Sequence, residues 1–335
     1  MQTHGGNIKA FSQEIACEVD EVIDLSSNIN FFKPKLDVDF NRLDISAYPN
    51  YDELQEAIAK LYQVDKAQIE LFNGATTAIY SLFRELNLKQ CTLYAPLYAE
   101  YKNSAELHGY DVELINRLKD IEKELKRASL VVFVNPSTPD GKFYDLEKLM
   151  KQWREKECTI LIDESFLDFT TYASAMKYLK DYDKLYILKS MTKFYSSAGI
   201  RIGAIFSTKK NIRALHEREP LWKISQFDSH YLQSALRDEA FPLKSRAIND
   251  VYKEQLVAIL KKSSYIDEVY PSCANFVLLK LKNMDANAFQ KKLIPYKIMV
   301  RNCSNFDFLD SSFVRIAVKN KQFLKVFEEA FLKEF

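Results

Sequence analysis

Apolar side chains recur at helical spacing over residues 52–62, where Leu54, Ile58 and Leu61 share a face, and over 75–86, where Ile79, Leu82, Phe83 and Leu86 do. Short runs rich in β-forming residues follow at 92–94, 112–115, 130–134, 159–162, 185–188 and 200–206. Segments 117–127 and 145–157 lie between them and predict helices. This alternation is that of an α/β domain around a mostly parallel sheet. From about Leu215 the pattern changes to longer helical stretches and then to strands over 275–281 and 313–318. The expected division is a large domain over 41–224 and a smaller α+β domain formed by 1–40, with its N-terminal arm, and 225–335.

In such sheets ligands sit beyond the carboxyl ends of the strands. Three runs end on polar residues: 130–134 leads to Asn135-Pro136-Ser137-Thr138, 159–162 to Asp163, and 185–189 to Ser190. A site assembled from several strand ends is therefore expected.

Charge narrows the class of partner. Lys plus Arg (47) nearly cancels Asp plus Glu (46), and no run of five like charges occurs, which argues against a nucleic-acid or anionic-membrane footprint. A small molecule is the expected partner. Cys17, Cys91, Cys158, Cys273 and Cys303 are odd in number and lack C-x-x-C spacing, so neither a disulfide framework nor a metal site is expected, and a reducing cytoplasm fits. The N-terminus lacks a basic region followed by an apolar one, and no apolar run approaches membrane length, so a soluble, unprocessed protein is expected. Glycine is scarce: seven residues in 335, about 2% against a typical ~7%. Six of the seven fall in motifs that attract attention for other reasons.

The densest chemistry is Ser190-Met191-Thr192-Lys193-Phe194-Tyr195-Ser196-Ser197-Ala198-Gly199-Ile200-Arg201-Ile202-Gly203. A lysine among hydroxyls, followed eight residues on by an arginine between glycines, suits an enzyme that holds a phosphorylated aldehyde through the lysine amine. Ser190 and Arg201 would take the phosphate. Gly74, Ala75 and Thr76 precede an amphipathic helix whose N-terminal amides would add a third phosphate ligand. Serine β-lactamases also carry Ser-x-x-Lys, but their Ser-Asp-Asn and Lys-Thr-Gly tripeptides are missing.

Together these motifs resemble the fold-type I enzymes dependent on pyridoxal 5'-phosphate (PLP), in the aminotransferase superfamily. The resemblance implies an α/β fold with a large and a small domain. It makes Lys193 the cofactor lysine and Asp163 the acid facing the ring nitrogen, and it lays Tyr98 flat on the ring. Thr138 stands where the family usually carries an asparagine bonding the ring hydroxyl, and Ala198 replaces a proline. Tyr48 would cross a homodimer interface to the neighbour's cofactor phosphate, giving shared active sites.

His4-Gly5-Gly6-Asn7, Ser26-Ser27-Asn28-Ile29-Asn30, Asp163-Glu164-Ser165-Phe166-Leu167-Asp168-Phe169, Ala274-Asn275-Phe276 and Arg301-Asn302-Cys303-Ser304-Asn305-Phe306 resemble the threonine-phosphate decarboxylase branch of cobalamin biosynthesis. Histidinol-phosphate aminotransferases usually have tyrosine where Phe166 stands. By this resemblance, Arg301 and Arg315, with His4 and Asn28, would bind a dianion and a carboxylate. The implied activity is decarboxylation of L-threonine O-3-phosphate or L-serine O-phosphate. One missing methyl is worth only ~1–3 kcal/mol in a pocket, so sequence does not choose between them. A histidinol-phosphate-type aminotransferase and a non-catalytic PLP-binding protein are the alternatives.

Overall fold

In the computed structural model residues 5–335 are described, and His4 lies outside them. The centre is a seven-stranded sheet in the spatial order Ile69–Phe72, Gly203–Phe206, Leu185–Ser190, Thr159–Asp163, Leu130–Val134, Gln90–Ala95, Asp111–Asn116. The last five strands are mutually parallel, and Gly203–Phe206 runs antiparallel to both of its neighbours. Alternation along the strands feeds two cores. Leu130, Val132 and Val134 enter one apolar cluster, while Val131 and Phe133 enter the other.

A second sheet is antiparallel throughout, in the order Arg301–Asn302, Phe313–Ala317, Phe276–Leu281, Ile266–Val269. The helices Phe241–Leu260 and Lys321–Glu334 pack over it around a third apolar cluster. An N-terminal segment joins the two sheets. Ile23–Asp24 pairs in parallel with Ile298–Met299, and Leu25 accepts from the Ala317 amide at 2.8 Å. A few residues on, Asn30 donates its N–H to the Lys193 carbonyl at 3.0 Å and its side-chain amide to the Phe194 carbonyl at 2.7 Å.

Most expected elements are present, with shifted ends: the helix expected from 75 spans Gly74–Leu86, and the strand expected from 200 spans Gly203–Phe206. The strand Ile69–Phe72 was not among those expected. Leu61, placed on the apolar face of its helix, is 39% exposed. The helix expected over 117–127 does not form. Asn116 starts a turn there, accepting from Leu118 through its side chain and from Lys119 and Asp120 through its carbonyl. Gln152 of the neighbouring helix then donates to the carbonyls of Glu122 and Lys123, and Lys123 and Lys126 pair back onto Glu113 and Asp111 of the edge strand. Tertiary bonds thus take the backbone groups that a helix would have used.

Candidate active site

Sheet register brings the separated motifs to one level. Phe72 and Ser190 both pair with Gly203 across the antiparallel strand, so the turn into helix Gly74–Leu86 lies beside the start of Met191–Phe194. Asp163 sits between Val134 and Leu188 on the neighbouring strands. The strand ends and the N-terminal segment enclose a cavity of about 440 Å³. Asn28, Ala75, Thr76, Tyr98, Thr138, Asp163, Ser190, Lys193, Arg201, Arg301 and Arg315 all line it.

Lys193 reaches into this cavity with its Nζ 5.2 Å from the Phe166 ring centroid. Burial holds its pKa below the ordinary lysine value; Asp163 opposes that shift, while Arg201 and Arg315 add to it. The neutral amine, the nucleophilic form, is thereby favoured. Asp163 accepts from the Tyr101 hydroxyl at Oδ2 (2.7 Å) and from the Ser165 amide at Oδ1 (2.8 Å). Its neighbour Glu164 points away into a buried ion pair with Lys189 at 3.1 Å and has a structural part.

The end of the cavity at Gly74 and Arg201 is shaped by close approach. Gly74 has φ +81°, and a Cβ there would stand 2.6 Å from Arg201 Nη2. A Cβ on Gly203 would stand 2.5 Å from the Ala75 nitrogen. The helix that begins at Gly74 has no side-chain cap, which leaves its first amides for a ligand. Ser190 Oγ and Thr192 Oγ1 lie 2.9 Å apart beside it, and Thr76 Oγ1 lies 3.3 Å from the Tyr98 hydroxyl. Uncapped amides, two hydroxyls and a guanidinium around space that one methyl would fill suit a phosphate, so the residues present fit PLP.

At the other end the register places Arg301 directly opposite Arg315 on adjacent strands, each 6% exposed. Arg315 donates to Thr138 Oγ1 at 3.2 Å and to the Ser26 carbonyl at 2.9 Å, lies over the Phe276 ring, and keeps its Nε buried without a partner. Burial pushes its pKa down to about 10, with Cys303 opposing the shift and Arg301 adding to it. Arg301 donates to the Asn302 carbonyl and to Asn305, and lies over Phe306. Two like charges facing each other across a strand pair repel, and an anion between them would relieve that.

Tyr48 lies elsewhere. Its side chain is 75% exposed and stacks on Trp222 with centroids 4.1 Å apart, in a surface depression away from the cavity. Sequence reasoning missed Tyr101, although its spacing of three from Tyr98 at a helix start places both on one face. Phe306, named from sequence only as part of a motif and given no role, also lines the cavity.

The fit to known proteins is broad. The family model for aminotransferase class I and II matches residues 21–330. The chain is 30% identical to the adenosylcobalamin biosynthesis bifunctional protein CobDQ of Leptospira interrogans, covering 98% of this chain but only 41% of that longer protein. It is 25% identical to the threonine-phosphate decarboxylase of Salmonella typhimurium, over 95% of this chain and 92% of that one. Among solved structures, the histidinol-phosphate aminotransferase of Clostridium acetobutylicum superposes with a TM-score of 0.80 at 28% identity, covering 92% of this chain and 98% of that one.

Proposed function

The chain belongs to the aminotransferase class I and II family, and within that family we propose that it decarboxylates an O-phosphorylated amino acid, L-threonine O-3-phosphate or L-serine O-phosphate. Its cofactor is pyridoxal 5'-phosphate. The observation that carries the reading is the pair of opposed, buried arginines in the same cavity as Lys193. A phospho-amino acid brings two anionic groups and an amine, one anion for each guanidinium. Histidinol phosphate brings only one. The names of the Leptospira and Salmonella relatives support the same choice and suggest a place in cobamide biosynthesis.

Lys193 would hold the cofactor through its amine. Asp163, fixed by Tyr101 and Ser165, would hold a proton on the ring nitrogen. The phosphate would rest on Ser190, Arg201 and the amides of Ala75 and Thr76, and Tyr98 would cover one ring face. Thr138 offers the ring hydroxyl a shorter donor than an amide would. Arg301 and Arg315, with Asn28, would bind the substrate's phosphate and carboxylate and so fix which of its bonds is presented for cleavage. When bound, PLP supplies an electron sink for the pair left as carbon dioxide departs. Lys193, protonated as an ammonium, would be placed to donate to the α-carbon the proton that replaces the lost carboxylate, and the product is an amino-alcohol phosphate. Phe166, Phe276 and Phe306 present rings near these groups and limit water there.

The protein would work in the cytoplasm as a homodimer. Ile45, Tyr48, Leu221 and Trp222 are 65%, 75%, 65% and 51% exposed, apolar surface that a second copy would cover while Tyr48 reached its site. The similarity to the Clostridium aminotransferase sustains a second reading, transfer of an amino group from histidinol phosphate. Incubation with 2-oxoglutarate and each of the three phosphorylated amines distinguishes the two. The proposal expects no glutamate from any of them, and glutamate formed from histidinol phosphate contradicts it.

A further inference from the structure

Arg117 lies outside the cavity and has no part in the roles given above. It follows the edge strand Asp111–Asn116, and its own N–H donates to the Ala95 carbonyl at 2.9 Å. The side chain, 3% exposed, runs behind the strand ends. Nη1 donates to the Val134 carbonyl at 3.1 Å, and Nη2 donates to the Thr138 carbonyl at 3.2 Å and to the Pro96 carbonyl. Two of these carbonyls belong to the loops that present Tyr98 and Thr138 to the cavity, and the third ends the strand that leads into the Thr138 loop.

The cation is held by carbonyls and the Phe133 ring, 5.9 Å from its centroid, and burial still lowers its pKa. Arg117 forms no ion pair with any described residue, and its Nε is buried without a partner. Asp140 faces it from the Thr138 loop, but that carboxylate is itself bonded by Ser137 and Tyr144; the other charged or titratable group in range besides Tyr144 is Asp163. Burying a charge in this manner is no route to stability, since an apolar side chain of similar volume is commonly as good or better. What a guanidinium offers instead is a rigid planar fork whose donors can hold several carbonyls at fixed spacing.

We propose that Arg117 is a positioning residue whose guanidinium joins the Tyr98 loop to the Thr138 loop and so sets the width of the cofactor site between them. This rests on the cofactor and not on which bond of the substrate breaks. Lysine would keep the charge but replace the fork by a single point, so Arg117→Lys separates geometry from electrostatics.

The test is made on the holoenzyme. Arg117→Lys is compared with wild type and with Leu149→Ala, a buried position on helix Glu147–Glu155 that does not line the cavity, which serves as the control for lost thermal stability. The readouts are PLP affinity and the visible circular dichroism of the bound cofactor, well below the melting temperature of each variant. Arg117→Lys should weaken PLP binding by about tenfold, the scale of one lost charge-assisted hydrogen bond, and reduce the dichroism, while Leu149→Ala leaves both at wild-type values. Unchanged affinity and dichroism in Arg117→Lys overturn the proposal. So does an equal effect of Leu149→Ala, and so does an Arg117→Lys chain that fails to fold, because the residue would then be structural.

Discussion

Replacing Arg315 by methionine should separate binding from folding. The change removes two hydrogen bonds, from Nη1 to Thr138 Oγ1 and from Nη2 to the Ser26 carbonyl. Bonds of this charge-assisted kind are worth about 1.5 kcal/mol each at the low end, or roughly 3 kcal/mol together. Against that stands the cost of the buried cation. Burial holds its pKa down at about 10, so the charged form is disfavoured where it lies. The melting temperature should therefore fall less than the loss of two such bonds alone would give. Ligand binding has no such compensation, because the anion loses a charge-assisted contact of roughly 1.5–3 kcal/mol and kcat/KM for phosphothreonine should fall by about one to two orders of magnitude. Inorganic phosphate, used as a competitor, should weaken in parallel. Scanning calorimetry and steady-state kinetics on the same preparations supply both halves. A large drop in melting temperature with kcat/KM and phosphate affinity unchanged would refute the reasoning, because Arg315 would then serve the fold.

In the cofactor-free protein Lys193 titrates below the ordinary 10.5 because it is buried. The folded state therefore releases that proton at lower pH than the unfolded chain, and this group's contribution to stability rises with pH through the folded pKa and is complete near the ordinary value. Modification of Lys193 by an aldehyde reagent, followed by peptide mapping, should level off below pH 10.5; a plateau at or above it contradicts the shift. Gly74→Ala forces a Cβ to within 2.6 Å of Arg201 Nη2 at φ +81°, so PLP affinity should fall by at least about tenfold, measured by dialysis and reconstitution. Tyr101→Phe removes the 2.7 Å bond to Asp163. Its kcat should drop by about threefold to tenfold, and wild-type kinetics would show that Asp163 needs no such support.

The legible part of the site was the part written in contiguous residues. Ser190, Lys193 and Arg201 fall within twelve positions, and close approach at Gly74 and Gly203 demands glycine in a chain that has few. What register creates was harder to read. Arg301 and Arg315 are fourteen apart in sequence, and only the antiparallel pairing sets them face to face. Tyr101 is one of 19 tyrosines, and its bond to Asp163 spans 62 residues. Residues 117–127 carried a helical pattern that Gln152 and the edge strand overrode. Arg117 opens that segment and was given no role from sequence.

Carbon bookkeeping at a single atom tests the central claim most directly. Phosphothreonine labelled with ¹³C in its carboxyl group is incubated with the PLP-loaded enzyme in heavy water, without any keto acid, and followed by nuclear magnetic resonance. The decarboxylase reading predicts that the label appears as carbon dioxide and bicarbonate, and that the former α-carbon, still bearing its amine, gains one deuteron. Label retained in the carboxyl group of phosphothreonine and phosphoserine alike, while the enzyme transaminates histidinol phosphate, would contradict it.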